Sequence, residues 1–137
     1  MKGGPYFAKA SKGAYVDGFV FTVPKKNTLK YKKMAEDGRK AWMKFGALAF
    51  YECMGDDLKA KKAMGFKPLT FLDIAKPKSG ETVWFSFIVF KNKAHRNAVN
   101  KKVMAYFGKQ FADEKNFKMP NDPAKMAYGG FKAIVKG

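Results

Sequence analysis

The segment 81–91, ETVWFSFIVFK, restricts what this chain can fold into more than any other. Successive side chains of a strand point to opposite faces, and here both sets are large and apolar: Val83, Phe85, Phe87 and Val89 against Trp84, Ile88 and Phe90. Neither face of such a strand can be left in water. A helix is predicted to follow at once, with Asn92 as its N-cap.

Length and composition indicate one domain with a real core. The chain has 137 residues, of which 47% are hydrophobic. Residues 1–14 contain several glycines and lysines and are expected to form a flexible N-terminal arm, which leaves 15–137 as a single domain. No secretory signal is visible, and the longest apolar run is far shorter than the roughly 20 residues of a membrane helix, so we expect a cytoplasmic protein with no membrane partner.

The net charge of +17 raises the question of a polyanionic partner. Arg39 and Arg96 are the only arginines, and the lysines are scattered over every segment rather than gathered in one block. Two interpretations stay open: a solvated, like-charged surface, or a lysine-rich face that contacts RNA, DNA or another polyanion nonspecifically.

Hydrophobic periodicity divides the chain into six main elements. Helices are predicted from Asn27 to about Gly46 and from Asn92 to about Gly108. Residues 58–80 are expected to form an excursion with an extended piece near 69–74. The predicted strands are 15–23, 47–55, 81–91 and 126–135, the last with a glycine pair that suggests a bulge or a close backbone approach.

This order predicts an α+β fold, the ferredoxin-like βαββαβ pattern with a four-stranded antiparallel sheet. Two helices can cover only one face of the sheet. Because the other face is also apolar, we expect a homodimer whose sheets meet as a dimeric α/β-barrel.

Several motifs resemble the YbaA-like family of small uncharacterised bacterial proteins: YECMGDD at 51–57, KAHR at 93–96, VN at 99–100 and YGGF at 128–131. The resemblance covers most of residues 15–135. It implies a dimeric α/β-barrel and no established activity. The N-terminal arm, the strongly basic charge and Asn121 depart from the family pattern.

Candidate ligand-pocket residues follow from residue type and position, although no catalytic residue can be assigned. His95, the only histidine, lies in the first turn of the predicted helix beside Arg96, where a neutral imidazole is favoured. Both residues could instead hydrogen-bond the strand–helix junction or the dimer partner. Asp17 and Glu52 are acids within strands, and each must be paired, protonated or exposed to solvent. The remaining candidates are Tyr51, Trp84, Asn100 and Tyr128.

An inward carboxylate could remove a proton from an activated carbon acid, whereas a lysine partner would make it merely structural. There is no phosphate-binding loop, nucleophile elbow or metal-ligand cluster, so neither a metal nor a cofactor is expected, and one histidine is slight support for haem. The leading hypothesis is a protein that binds a small organic molecule, conceivably a cofactor-independent oxygenase or isomerase. The alternative is a noncatalytic polyanion-binding protein.

Overall fold

The computed structural model describes residues 14–61, 65–110 and 119–137, so the expected arm lies outside the described residues except for Ala14. The described residues form four strands and three α-helices, joined by short 3₁₀ turns and loops. In chain order they are β1 (Tyr15–Pro24), α1 (Thr28–Lys44), β2 (Ala49–Met54), α2 (Phe71–Ala75), β3 (Glu81–Phe90), α3 (Lys93–Gln110) and β4 (Ala127–Lys132).

The strands form one antiparallel sheet in the order β2-β3-β1-β4. β1 and β3, the most apolar strands, occupy the two interior positions, where each has neighbours on both edges. Register places Phe21 opposite Trp84 and Glu52 opposite Ser86. The predicted mixture of helices with a four-stranded antiparallel sheet is confirmed.

Helices α1 and α3 lie on the same face of this sheet, which we call the helix side. Tyr31 of α1 packs against Phe21 and Trp84, and Val99 of α3 lies in one buried cluster with Phe90. Asn92 accepts a hydrogen bond from the backbone N–H of His95 at 2.7 Å, as expected of the N-cap of α3.

The expectation of an extended piece at 69–74 and of only two helices is wrong. Residues 71–75 form α2, because Thr70 and Asp73 make a capping box: the Thr70 backbone N–H donates to Asp73 Oδ2 at 2.8 Å, and Asp73 N–H donates to Thr70 Oγ1 at 3.3 Å. α2 contacts β1 and β3, and its Phe71 ring lies 6.1 Å from the ring of Phe85. It therefore covers part of the face opposite α1 and α3.

The rest of that opposite face, which we call the open face, exposes large apolar side chains. Phe85 is 42% exposed and Phe131 63% exposed, and Tyr51 is exposed on the edge strand next to β3. Alternation along β3 puts Phe85 and Phe87 on this face and Trp84 and Ser86 on the helix side.

The glycine pair in β4 keeps regular register, since Gly129 pairs with Gly18 and Gly130 with Asp17, so no bulge is present. Instead, the Tyr15 side chain lies close to the backbone of the glycine pair. A Cβ added at Gly130 would overlap the hydroxyl and ring of Tyr15, whereas one added at Gly129 would meet only the Phe131 ring, at 3.6 Å.

Replacing Gly130 with alanine should lower the free energy of unfolding by about 1–3 kcal/mol, because the Tyr15 ring must move out of its position. Gly129→Ala is the matched control and should leave stability unchanged or slightly raised. Urea denaturation at one fixed protein concentration measures both. Equal stability of the two variants would contradict the packing described for Tyr15.

Candidate functional site

A cavity of about 900 Å³ lies on the helix side, between α1, α3 and the sheet. Its walls are mostly apolar. Met34 and Gly38 contribute from α1, Met104 and Phe107 from α3, and Phe19 from β1. A volume of this size is within the range of cavities that hold small organic ligands.

The sequence of α1 explains how its side of the cavity forms. Tyr31, Ala35, Gly38 and Trp42 recur at a spacing of three to four residues, so they share the face that the helix turns toward the sheet. Gly38 has no side chain, and a Cβ there would be 3.7 Å from the Phe50 ring. The absence of a side chain leaves space beneath the middle of the helix.

Among the described residues, two acids line this cavity: Asp37 of α1, which is paired with Lys33, and Glu52 of β2. Tyr31 donates its hydroxyl hydrogen to Glu52 Oε1 at 2.9 Å, and Ser86, opposite Glu52 in the neighbouring strand, also hydrogen-bonds the carboxyl group. Burial raises the pKa of Glu52 to about 7, although both hydroxyl partners act to lower it. The pKa of Tyr31 is raised by burial and by the nearby Glu52 charge.

A pKa of about 7 means that both protonation states of Glu52 are populated near neutral pH. A general acid or base is most effective when its pKa lies near the pH at which it works. Glu52 can therefore accept a proton from a molecule in the cavity and return it.

Glu52 also lines a second, smaller groove of about 340 Å³ on the other side of α1. Trp84 and Met54 lie along this groove, and Lys32 and Arg39 bring positive charge to it. The carboxyl group is thus reached from both sides of α1.

A second polar cluster ties α3 to β1 and β4. Arg96 Nη1 donates to Asp17 Oδ1 at 3.1 Å and to the Tyr128 hydroxyl at 2.7 Å, and Arg96 Nη2 donates to the Tyr15 hydroxyl at 3.2 Å. Asn100 also hydrogen-bonds Asp17. The Asp17 side chain is almost fully buried; burial raises its pKa, and the Arg96 charge opposes that rise.

This cluster adjoins the cavity through aromatic side chains of its walls. Trp42 Nε1 donates to Asn100 Oδ1 at 2.9 Å, and Phe19 stacks on Tyr128 with ring centroids 4.9 Å apart. Because Asp17 already has a cationic partner, the cluster is suited to holding α3 in place on the sheet.

Six of the eight sequence-predicted site residues come together in two groups. Asp17, Arg96, Asn100 and Tyr128 come together in the polar cluster, and Glu52 and Trp84 meet at the smaller groove. Tyr51 lies apart from both groups, on the open face, where its ring stacks on Phe87 at 5.0 Å.

His95 also lies apart, at the start of α3. Its Nδ1 accepts a hydrogen bond from the Lys91 backbone N–H at 3.0 Å. Burial and the charges of Lys91 and Lys102 lower its pKa. The imidazole therefore hydrogen-bonds the junction between β3 and α3, which is one of the two roles considered for His95 from the sequence. Whether any of the predicted residues contacts a ligand stays a prediction.

Sequence reasoning missed Tyr31 and Ser86 as partners of the carboxyl group. The available signals were a hydroxyl within the apolar stripe of α1 and a serine interrupting the apolar run of β3. Over residues 14–61, 65–110 and 119–137, no group of three or more His, Cys, Asp or Glu side chains could hold a metal ion. No helix in this part of the chain has the length and apolar character needed to cross a membrane.

Comparison with known proteins identifies relatives along most of the chain. The family described as "Protein of unknown function (DUF1428)" matches residues 14–122. The uncharacterized protein YbaA of Escherichia coli K12 is 35% identical over 122 residues, which cover 88% of this chain and 97% of that protein, and YbaA of Shigella flexneri matches equally. Among solved structures, a Bacillus cereus protein related to NIF3 has a TM-score of 0.37 at 13% identity, covering 96% of this chain but only 32% of the other.

Stability should depend on pH through Glu52. Its pKa is about 7 in the folded protein against an ordinary value of 4.5. Below pH 4.5 the carboxyl group is protonated in both the folded and the unfolded state and does not affect stability. Between pH 4.5 and 7 it ionises only in the unfolded state, so stability falls over this range and the loss is complete above pH 7. The free energy of unfolding of wild type, relative to Glu52→Gln, should fall by up to about 3 kcal/mol between pH 4.5 and 8.5. Paired urea titrations across this range measure the difference. A difference that does not change with pH would mean that the carboxyl group is not held as described.

Proposed function

The chain belongs to the DUF1428 family of proteins of unknown function, and we propose that it binds a small, largely apolar organic molecule in the cavity between α1, α3 and the sheet. The observation that carries the proposal is an apolar cavity of about 900 Å³ with one carboxyl group of pKa about 7 in its wall. Apolar walls with a few convergent polar groups are typical of ligand sites.

Glu52 is proposed to exchange a proton with the bound molecule. A C–H bond next to a carbonyl group breaks, its electron pair delocalises into the carbonyl, and the proton passes to a Glu52 oxygen. Return of that proton to the carbonyl oxygen gives the enol. Where a C=C bond is conjugated with the enolate, return of the proton to the far carbon of the dienolate moves the double bond, and either step completes an isomerisation. Tyr31 and Ser86 act as positioning residues that hold the carboxyl group. Removal of the same proton would also begin the cofactor-independent oxygenase reaction that the predicted fold suggests. The isomerase class is favoured because it needs only a group that accepts and returns a proton, and Glu52 is such a group.

We further propose that the protein is a homodimer with a ferredoxin-like protomer. Apart from the short helix α2, which is inserted between β2 and β3, the chain order is βαββαβ, and this order and the sheet order β2-β3-β1-β4 support that topology. The open face supports the dimer, since Phe85 and Phe131 are large, exposed and apolar, and an apolar face of this kind is typical of contact surfaces. A second copy packed on this face would complete the α/β-barrel that the family resemblance suggests.

The cavity proposal is tested with N-phenyl-1-naphthylamine, a neutral fluorophore that brightens in apolar surroundings. Met34→Trp narrows the cavity and should weaken binding at least about tenfold, roughly 1.4 kcal/mol. Met43→Trp, a matched change on α1 at a partly exposed site outside the cavity wall, should bind as wild type does. Equal binding by the two variants would contradict the proposed site.

The dimer proposal is tested by the mass in solution. Native mass spectrometry of wild type should give twice the protomer mass. Phe85→Asp puts a charge on the open face and should give the protomer mass. Met43→Asp changes an exposed residue of α1, on the helix side, and should remain dimeric. A wild-type protein that is monomeric at micromolar concentration would contradict the dimer proposal. That result would not bear on the proposal that the cavity binds a ligand.

A further inference from the structure

The polar corner of the cavity has a definite hydrogen-bonding character. This corner consists of Glu52, Tyr31 and Ser86. Tyr31 donates its hydroxyl hydrogen to Glu52, and Ser86 also hydrogen-bonds the carboxyl group. Ionised Glu52 therefore offers acceptor lone pairs to a ligand and no donor hydrogen. Protonated Glu52 offers one hydrogen. A molecule that presents a hydroxyl group in one form and a carbonyl group in the other matches both protonation states.

Charge restricts the ligand further. The cationic side chains among the described cavity-wall residues are Lys30 and Lys33. Both are exposed residues of α1, and Lys33 Nζ lies 3.2 Å from Asp37 Oδ1. Neither is a partner of Glu52, whose contacts are hydroxyl groups. On the groove side of Glu52 the cations are Lys32 and Arg39, and Arg39 is paired with Glu36. A carboxylate or phosphate that reaches the polar corner from the cavity side would face ionised Glu52 with no cation bonded to that carboxyl group, at an unfavourable cost.

The apolar walls favour a flat, polarisable molecule. Among the described residues, four methionines line the cavity, namely Met34, Met104, Met119 and Met126. Aromatic residues, among them Trp42 and Phe107, line the same cavity. Thioether sulfurs make favourable contacts with aromatic rings, and unbranched methionines adapt to the outline of a ring system.

We infer that the ligand is a neutral, flat aromatic compound with a phenol or enol hydroxyl group that donates to Glu52. This inference rests on the proposed function and names the ligand class of the same site. Ring contacts with the methionine-rich wall bind the body of the molecule, and the carboxyl group selects the hydroxyl form. The keto form of such a compound is the carbon acid from which Glu52 removes a proton.

The test compares three probes of one ring system: 2-naphthol, 2-methoxynaphthalene and 2-naphthoate, each titrated at pH 8 by calorimetry. 2-Naphthol should bind about tenfold tighter than the ether, as expected for a hydrogen bond to a charged acceptor. 2-Naphthoate should bind more weakly than 2-naphthol. In Glu52→Leu, the naphthol and the ether should bind equally.

A second readout uses wild type alone, in case Glu52→Leu fails to fold. The ratio of naphthol to ether affinity should rise several-fold from pH 6 to pH 8, because Glu52, with a pKa of about 7, ionises over this range and only then accepts the hydroxyl hydrogen. A ratio that does not change with pH would overturn the assigned contact.

The remaining outcomes separate the two proposals. If all three probes bind wild type equally, the cavity binds apolar molecules but the ligand class is wrong. Tightest binding of 2-naphthoate would also overturn the class and would point to an anion site at Lys30. If no probe binds and the phenylnaphthylamine does not bind either, the proposed function itself fails.

Discussion

β3 must be covered from both sides, and this constraint organises the rest of the molecule. Trp84, Ile88 and Phe90 are buried on the helix side by packing with α1 and α3. The opposite side is only partly covered, because α2 is a single short helix. Ser86 interrupts the apolar series on the helix side, and it is there that β3 hydrogen-bonds Glu52. The strand that requires burial thus also supplies part of the one polar corner in the cavity.

The two acids on the helix side illustrate two ways of burying a carboxyl group. Asp17 has a guanidinium partner, two tyrosine hydroxyls within the same network and an asparagine, so its charge is compensated locally. Glu52 has hydroxyl partners and no cationic one, and its pKa rises to about 7. An ion-paired acid suits a structural role, whereas an acid poised near neutral pH is suited to proton transfer. The environments of these two groups therefore separate the structural cluster from the candidate site.

Much of the architecture could be predicted from local pattern, because the alternation in β3, the stripe of α1 and the cap at Asn92 each depend on neighbours in sequence. α2 was missed although Thr70 and Asp73 form a recognisable capping pair. The site was harder to predict, because Tyr31 and Glu52 are 21 residues apart in sequence. In addition, the register of the sheet decides which side chains of β2 face the helices. The cavity depends on how α1 and α3 lie over the sheet, which no local pattern encodes. Polyanion binding by the lysine-rich surface stays a prediction.

The protonation of Glu52 tests this account most directly. Carboxyl ¹³C NMR of protein labelled at glutamate, with Glu52→Gln to assign the resonance, follows the group through a titration without depending on any ligand. The account predicts an apparent pKa of about 7 for this buried, hydroxyl-bonded carboxyl group. Titration near the ordinary value of 4.5 would show that Glu52 is solvated, and the case for proton transfer in this cavity would be lost.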